Sequence, residues 1–235
     1  MRSEPPPLRA VLFDAAGTLI RPRENVGATY ARAFAAHGAA LPESRVAEAF
    51  GRVLAAMPPM VFADAAPDRV AEREKAWWRE VVRRTLRAAD GTARLRDFDA
   101  CFDALFAHFA AASAWEPMPG AAHALAALAA RGLRLAVVSN FDQRLRPLLA
   151  ALGLARFFDC IVLPADAGAA KPDPRIFTFA LEALGVLAAE AVVVGDDPTD
   201  DHAGAVAAGL RAVDVRSLAT LALLPSLLER KEPPA

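Results

Sequence analysis

The feature that most constrains the fold of this 235-residue chain is the segment 11–19, Val-Leu-Phe-Asp-Ala-Ala-Gly-Thr-Leu. Three apolar residues lead into Asp14, and the turn residues Gly17 and Thr18 follow closely. This order is typical of a buried parallel strand that carries an aspartate to its carboxyl end, where open α/β sheets bind their ligands. The segment therefore predicts an α/β fold with a functional site beside Asp14.

Further apolar runs in the second half of the chain have the length and composition of central strands. They alternate with helical patterns that stop at a glycine, the residue favoured just beyond a helix C-terminus. Strand alternating with helix predicts a doubly wound parallel sheet. The predicted strands are 133–139, 160–163, 191–195 and 210–215, and the predicted helices are 120–130, 144–152, 174–184 and 199–208.

The interval from about residue 21 to residue 115 has a different pattern, with helical periodicity and no convincing strand. Because the sheet resumes after this interval, we expect its two ends to lie close together. We therefore predict a Rossmann-like core formed by residues 1–21 and 115–235, and an all-helical insert formed by residues 22–114. The helices expected in the insert are 26–37, 43–56, 66–87 and 98–111.

Composition and charge exclude several classes of function. The net charge of −1 gives no electrostatic attraction toward nucleic acid or an anionic membrane. No uninterrupted apolar run approaches the ~18 residues of a membrane span, and residues 1–7 lack the apolar core of a signal peptide. Cys101 and Cys160 have neither metal nor redox spacing, so we expect both to be reduced and buried. A cytoplasmic location is expected, and a monomer is the default for an oligomeric state that the sequence leaves open.

Polar side chains follow several of the predicted strands at the point where each strand ends. Because the carboxyl ends of parallel strands meet at one edge of the sheet, we expect these side chains to gather in one crevice. Each segment alone is a weak signal, whereas the ordered set on one alternating sheet is a strong one. The candidates are Asp14 and Thr18, Ser139 and Asn140, Lys171, and finally Asp196 and Asp201 in the acidic loop 195–205.

This set of residues suits phosphoryl transfer. Carboxylates such as Asp14 and Asp196 are ligands of the kind that Mg²⁺ prefers. Lys171 supplies a positive charge, while Ser139 and backbone N–H groups can hold the phosphate oxygens that are not transferred. Asp14 would then form an aspartyl-phosphate that water hydrolyses.

From residue 8 to about residue 215 the chain resembles the haloacid dehalogenase-like hydrolases. The resemblance implies that Asp14 is the nucleophile, that Ser139 is the hydroxyl of the second motif and that Lys171 is the lysine of the third. It also implies that the insert is the helical cap of the class whose cap follows the first motif. The metal ligands that it implies are Asp14, the backbone carbonyl of Ala16, Asp196 and Asp201, with Thr18 and Asn140 as candidates for substrate binding.

Finer features resemble one branch of that family. Trp77-Trp78, the run 139–142 with Arg144, and the run 171–177 are similar to the rhythmically expressed gene 2-like proteins. Some members of this branch also lack the second aspartate of the first motif.

The first motif departs from the phosphatase pattern Asp-x-Asp-Gly-Thr, because Ala16 stands where the second aspartate is expected. In that pattern the residue protonates the leaving alcohol and then activates water, and such help is typically worth ~10²–10⁴-fold in rate. We expect a Mg²⁺-dependent phosphatase for a small phosphorylated compound, slow on esters with poor leaving groups. The alternative from another class is a pseudoenzyme that binds a phosphorylated ligand or a partner protein.

Two related hydrolases also lack the second aspartate. Haloacid dehalogenases carry Ser-Asn in place of the Gly195-Asp196 pair, which argues against that activity here. Phosphonoacetaldehyde hydrolases share the pattern Asp-x-Ala-Gly-Thr and form a Schiff base through a cap lysine. Lys75 is the sole lysine of the insert, beside Trp77 and not in the early cap position of those enzymes. Phosphonatase-like chemistry therefore ranks behind phosphate ester hydrolysis.

Overall fold

The computed structural model of the chain describes residues 6–62 and 64–229. The chain divides into two compact units. The core unit comprises Met1–Arg21 and Pro117–Ala235, and the helical unit comprises Pro22–Glu116. Their roles as catalytic core and cap stay predictions. Residues 1–7 were expected to lack the apolar core of a signal peptide, and most of that segment lies outside the described residues.

The core unit contains a parallel sheet of five strands in the order β5-β4-β1-β6-β7, as the alternating pattern predicted. The strands found in the described residues are β1 (Ala10–Phe13), β2 (Ile20–Pro22), β3 (Trp115–Pro117), β4 (Arg134–Val138), β5 (Cys160–Val162), β6 (Ala191–Gly195) and β7 (Arg211–Asp214). The α-helices are α1 (Val26–Ala36), α2 (Glu43–Ala56), α3 (Val70–Ala89), α4 (Phe98–Ala110), α5 (Ala121–Ala130), α6 (Leu145–Ala151), α7 (Pro164–Ala167), α8 (Pro174–Leu184), α9 (Gly204–Ala207) and α10 (Leu224–Glu229).

Strand β1 occupies the centre of the sheet and explains the position of Asp14. All of its residues are fully buried, as expected of a parallel strand that has both faces covered. Its last residue, Phe13, pairs with Val137 of β4 on one side and with Val194 of β6 on the other. The three strands therefore end at the same level, and the residues that follow them share one edge of the sheet.

Helix α8 shows how local sequence positions the third motif. Asp173 caps the helix by accepting a hydrogen bond from the backbone N–H of Arg175, and Pro174 is the first helical residue. The helix ends before Gly185, which adopts a left-handed conformation with φ of 63°. Its buried face, which includes Ile176 and Phe177, packs in the same cluster as Leu12 of β1. The predicted helix 174–184 is confirmed to its end residues.

The helical unit is held together by its own apolar cluster. Phe34 of α1, Val46 of α2 and Phe102 of α4 are buried in it, and the helices expected in the insert are all present. One difference is that α3 starts later than expected and follows a short 3-10 turn, Pro67–Arg69. In the described part of the chain, no helix combines the length and apolar character needed to cross a membrane.

Three expectations from the sequence are wrong in detail. Strands β2 and β3 pair with each other at the two limits of the insert, where no strand was expected. Their sequences, Ile-Arg-Pro and Trp-Glu-Pro, contain a charged residue and a proline and therefore form no apolar run. Helix 199–208 is replaced by a π-helical turn, Pro198–Ala203, followed by the short helix α9. Both cysteines are free as expected, but only Cys101 is buried, because Cys160 begins the edge strand β5 and is half-buried.

Candidate active site

The loop after β1 is a tight turn that closes on a single carbonyl group. The backbone carbonyl of Ala15 accepts hydrogen bonds from the N–H groups of Thr18, Leu19 and Ile20 at 3.3, 2.8 and 2.9 Å. This closure holds Asp14 at the end of the strand, where it is only 7% exposed. The turn also leaves Ala16 exposed, so residue 16 presents a methyl group and no titratable group.

Gly17 and Thr18 bring the β1 loop against the loop that follows β6. Gly17 has a φ of 99°, and a Cβ atom at this position would lie 2.6 Å from Oδ2 of Asp196. Glycine is therefore required both by the backbone conformation and by the close approach. The hydroxyl of the buried residue Thr18 donates a hydrogen bond to Oδ1 of Asp196 at 3.1 Å. The Gly-Thr pair thus orients Asp196 rather than merely ending a strand.

Lys171 is the centre of charge in the site. Its ammonium group is buried and donates hydrogen bonds to Oδ1 of Asp14 and Oδ1 of Asp201, each at 2.6 Å. Burial alone would lower the pKa of Lys171, but the two carboxylates raise it above its ordinary value. Lys171 is therefore a permanent cation that bridges two acidic loops.

Two opposing effects, burial and the nearby ammonium group of Lys171, act on the pKa of the Asp14 carboxyl group. Burial raises its pKa from 3.8 to about 6, while the ammonium group of Lys171 opposes that rise. Most of the Asp14 side chains are therefore ionised at pH 7. An ionised carboxylate held at the rim of a sheet is a competent nucleophile.

The acidic loop after β6 is shaped to return Asp201 to the strand end. The π-helical turn widens the first helical turn, and π-helical insertions are frequent at functional sites. Asp201 accepts a hydrogen bond from the backbone N–H of Asp197 at 3.0 Å. A Cβ atom on Gly195 would clash with the Asp201 carboxylate, so the glycine of the Gly-Asp pair makes room for the second aspartate of the same motif.

The carboxylates of Asp14, Asp196 and Asp201 form a set that fits a hard divalent cation. One oxygen from each lies within 4.8 Å of the others. Opposite ligands of Mg²⁺ are about 4 Å apart, since each bond is about 2.1 Å, so small side-chain rotations would bring this set around one ion. Burial raises the pKa of Asp196, and the Thr18 hydroxyl opposes the rise. The donor chemistry and the spacing of the oxygens both fit the metal.

The side chain of Asn140 makes hydrogen bonds to the backbone of Lys171 that the sequence did not reveal. Its carbonyl oxygen accepts the backbone N–H of Lys171 at 2.8 Å, and its amide donates to the backbone carbonyl of Lys171 at 2.9 Å. The same amide donates to Asp200 at 3.0 Å. Asn140 therefore locks the backbone of Lys171 and links it to the acidic loop. No spacing in the sequence identifies these partners.

The remaining candidates lie at the same edge with fewer contacts. Ser139 follows β4, is 3% exposed, and its hydroxyl accepts the backbone N–H of Phe141 at 3.4 Å. His202 has its Nε2 atom 3.2 Å from the backbone carbonyl of Gly195. Hydrogen bonds join Asp14, Lys171 and Asp201 into one set and Thr18 and Asp196 into a second. The two sets lie side by side, because carboxylate oxygens of Asp14, Asp196 and Asp201 are within 4.8 Å of one another. Their catalytic roles stay predictions.

Lys75, the candidate for Schiff base chemistry, belongs to the helical unit. Its ammonium group lies 2.8 Å from a carboxylate oxygen of Asp103, and both side chains are about half exposed. The same ammonium lies over the rings of Phe102 and Phe106. A Schiff base requires an unprotonated amine, which enzymes usually obtain by desolvation. The exposed ion pair of Lys75 is not such an environment.

Sequence comparison relates nearly the whole chain to one family. A profile described as "Hydrolase: haloacid dehalogenase-like hydrolase" matches residues 8–209. The chain is 35% identical over 208 residues to haloacid dehalogenase-like hydrolase domain-containing protein 3 of Mus musculus, covering 87% of this chain and 80% of the relative. It is 28% identical over 211 residues to the rhythmically expressed gene 2 protein of Drosophila melanogaster, covering 84% and 78%.

A shorter match and two solved structures extend the comparison. Over 96 residues, 40% of this chain and 39% of the relative, the chain is 45% identical to phosphoserine phosphatase of Thermus thermophilus. A crystal structure of a dehalogenase superposes with a TM-score of 0.68 at 26% identity, covering 95% of this chain and 98% of that one. The magnesium-bound YfnB protein of Bacillus subtilis gives a TM-score of 0.72 at 18% identity over 96% of this chain and 100% of the other, a likeness of fold.

Proposed function

The chain belongs to the haloacid dehalogenase-like hydrolases, and we propose that it is a Mg²⁺-dependent phosphatase for a small phosphorylated compound, with Asp14 as the nucleophile. One observation carries the proposal. The buried carboxylate of Asp14 lies 2.6 Å from a buried lysine and shares its surroundings with the carboxylates of Asp196 and Asp201. A carboxylate can approach an anionic phosphate only where such cations offset the repulsion.

Each residue of the core unit has a distinct task in this proposal. Asp14 attacks phosphorus, the bond from phosphorus to the bridging oxygen breaks with its electron pair leaving on that oxygen, and Asp14 becomes an aspartyl-phosphate. Lys171 keeps Asp14 ionised and oriented, and Ser139 donates a hydrogen bond to a phosphate oxygen. Thr18 orients Asp196, and Asn140 holds the backbone of Lys171 in place.

Asp14, Asp196 and Asp201, with the backbone carbonyl of Ala16, would hold Mg²⁺. When bound, the ion offsets the negative charge of the phosphate and the carboxylates. The cluster holds three carboxylates, two of which are paired with Lys171, so their charge exceeds what Lys171 alone can balance. That excess supports a requirement for a divalent cation.

The same excess of charge favours a phosphatase over the other hydrolases of the family. Displacement of halide from carbon needs no metal, and the Gly195-Asp196 pair adds a carboxylate where such enzymes have Ser-Asn. The similarity to phosphoserine phosphatase of Thermus thermophilus supports the same choice. Phosphonatase-like chemistry is less well supported, because Lys75, the lysine of the insert, is about half exposed and paired with Asp103.

We assign the role of cap to the helical unit and that of catalytic core to the core unit. The support is positional, because the helical unit is inserted directly after the first motif. Closure of a cap excludes water and restricts the size of the substrate, which agrees with a small-molecule substrate. The chain segments 21–25 and 113–119 are the expected hinges.

A second candidate, a module that binds a phosphorylated ligand without hydrolysing it, is favoured by one observation. Residue 16 is an exposed alanine and offers no proton donor to a leaving group. A purified protein that binds phosphate esters but turns none over would have this function.

An aryl phosphate assay with and without Mg²⁺ tests the proposal, since an aryl oxide leaves with little help from an acid. We expect Mg²⁺-dependent hydrolysis by the wild type and none by Asp14→Asn, whose amide is nearly isosteric. Chloroacetate serves as the control substrate and should release no halide. Equal activity in both proteins, or halide release without metal, would contradict the proposal.

A further inference from the structure

The groups that could move a proton near Asp14 are already engaged by other partners in the described part of the core unit. Asp201 accepts hydrogen bonds from Lys171 and from the backbone N–H of Asp197. Asp196 accepts the hydroxyl of Thr18. Lys171 divides its ammonium between two carboxylates, and giving up its proton would leave both of them uncompensated.

The next groups outward are engaged as well. Asp200 accepts the amide of Asn140, and the Nε2 atom of His202 lies against the backbone carbonyl of Gly195. Residue 16 has only a methyl group, although it is exposed two positions after Asp14. Among the described residues of the core unit, the carboxylate of Asp14 therefore has no unengaged acid or base beside it.

We propose that this site takes acyl phosphates as its substrate class and retains the phosphoryl group on Asp14 as a long-lived aspartyl-phosphate. The inference rests on the proposed role of Asp14 as nucleophile. It goes further by naming the leaving group that the site can expel and the step at which the reaction slows.

The first step proceeds without a proton donor only for certain leaving groups. An oxygen of Asp14 forms a bond to phosphorus, the bond from phosphorus to the bridging oxygen breaks, and its electron pair departs on that oxygen. An acyl phosphate releases a carboxylate, whose conjugate acid has a pKa of about 4, so no proton is needed at pH 7. An alkyl phosphate would release an alkoxide, as basic as hydroxide, whose conjugate acid water has a pKa of about 15.7.

With an acyl phosphate as donor, the bond to phosphorus that breaks and the bond to phosphorus that forms are of the same kind. The donor is a mixed anhydride of a carboxylic and a phosphoric acid, and so is the aspartyl-phosphate that replaces it. The transfer from an acyl phosphate to Asp14 is therefore close to balanced in free energy. Transfer from an alkyl phosphate would turn a stable ester into an anhydride and lie uphill.

The second step requires a proton acceptor. Water attacks phosphorus, the bond between phosphorus and the Asp14 oxygen breaks, Asp14 recovers its electron pair, and the water must lose one proton. A base in the right place is typically worth ~10²–10⁴-fold in rate. Because the bases of the core unit are engaged, we expect this step to be slow and the phosphorylated protein to accumulate.

The test uses the intact chain with Mg²⁺ and acetyl phosphate, quenched in acid and analysed by intact-mass and peptide mass spectrometry. We expect one added phosphoryl group on the peptide that contains Asp14, and we expect it to persist after the donor is removed. In parallel, phosphate release is measured from acetyl phosphate, an aryl phosphate and glycerol 3-phosphate. Release from glycerol 3-phosphate should be the slowest.

Two variants at position 16 provide a matched pair. Ala16→Asp adds a carboxylate at an exposed position and should accelerate release of phosphate from the phosphorylated protein about 10²-fold. Ala16→Asn adds the same bulk without an acid or base and should leave the intermediate in place. Equal acceleration by both variants would overturn the inference.

The outcomes separate this inference from the proposed function. Hydrolysis of glycerol 3-phosphate as fast as acetyl phosphate, with no phosphorylated protein detected, would overturn the inference and leave the phosphatase proposal standing. Neither phosphorylation nor phosphate release with any of the donors would overturn the phosphatase proposal itself.

Discussion

The core unit and the helical unit differ in whether their lysine–aspartate ion pairs are buried or exposed. At the edge of the core sheet, the side chain of Lys171 is 3% exposed, and the side chains of its partners Asp14 and Asp201 are 9% and 1% exposed. In the helical unit, Lys75 and Asp103 form an ion pair of similar length whose side chains are 48% and 61% exposed. The same kind of contact is therefore buried in one unit and solvated in the other.

We interpret the buried contact as part of a functional site and the exposed one as an ordinary solvated ion pair. Burying charged groups costs several kcal/mol per ion before the attraction between them is counted, and clusters of this kind occur where chemistry is done. The helical unit has a continuous apolar cluster around Phe34 and Phe102 and does not depend on its exposed pairs. We therefore expect changes in charge to matter greatly in the core unit and little in the helical unit.

The largest effect is expected from Lys171→Gln, which leaves two buried carboxylates without their cation. Removing one partner of a buried ion pair typically costs about 3–5 kcal/mol. The free energy of unfolding from urea denaturation at pH 7 without divalent metal measures the change. A loss below about 1 kcal/mol would mean that the cluster is not buried as described.

Asp14→Asn should have the next largest effect, and in the opposite direction. Because the pKa of Asp14 is raised from 3.8 to about 6, the folded state binds its proton more tightly than the unfolded state, and the wild type loses stability as the pH rises from 4 to 6. At 1.36 kcal/mol per unit this amounts to about 3 kcal/mol. The variant, which does not titrate at this position, should be the more stable protein above pH 6.

Melting temperatures of both proteins between pH 4 and pH 8, in the absence of divalent metal, check this prediction. The difference in melting temperature between the variant and the wild type should increase up to about pH 6 and then remain constant. A variant that is destabilised at every pH would show that the charge of Asp14 contributes favourably to the fold.

Gly17→Ala tests the close approach between the β1 loop and Asp196. The variant combines a left-handed backbone with a Cβ atom 2.6 Å from a carboxylate oxygen. Gly132→Ala is the matched control, since Gly132 has a φ of 75° and nothing within 4 Å of the added atom. We expect Gly17→Ala to cost about 1–3 kcal/mol more than the control because of crowding.

Calorimetry adds a second measurement to this pair. Gly17→Ala displaces Asp196 and should weaken Mg²⁺ binding, whereas Gly132→Ala should bind Mg²⁺ like the wild type. Equal effects of the two substitutions on both stability and metal binding would argue against the contact between Gly17 and Asp196.

The smallest effect is expected from Lys75→Gln in the helical unit. Exposed ion pairs contribute about 0–1 kcal/mol and are screened by salt. The free energy of unfolding should change by less than 1 kcal/mol at low salt and by less still at 1 M salt. A loss similar to that of Lys171→Gln would remove the contrast between the two units.

Much of the core unit could be predicted from the sequence, and the reason is physical. In a parallel sheet the polar residues after neighbouring strands share one edge, so the strand-end positions of Asp14 and Asp196 sufficed to place them together. Lys171 was expected at the same edge, and the chain reaches it from β5 through the short helix α7. Periodicity likewise predicted α2 and α8 to the residue. These predictions depend on local patterns that repeat over many residues.

Other features depend on contacts between residues distant in sequence, which leave no such pattern. The double hydrogen bond from Asn140 to the backbone of Lys171 joins positions 31 residues apart, so Asn140 was predicted only as a substrate contact. The π-helical turn at Pro198–Ala203 was predicted as an ordinary helix, because its residues satisfy either geometry. Strands β2 and β3 were missed because a charged residue and a proline interrupt each of them, whereas the equally short β5 is an apolar run.

The most direct test of the central claim, that Asp14 accepts a phosphoryl group beside a divalent cation, is a crystal structure with Mg²⁺ and beryllium fluoride. Beryllium trifluoride attaches to carboxylate oxygens and mimics an aspartyl-phosphate. We predict that it is bonded to Asp14, within hydrogen-bond distance of Lys171 and Ser139, with Mg²⁺ held by Asp14 and Asp196. Beryllium fluoride on another residue, or Mg²⁺ away from these carboxylates, would contradict the account.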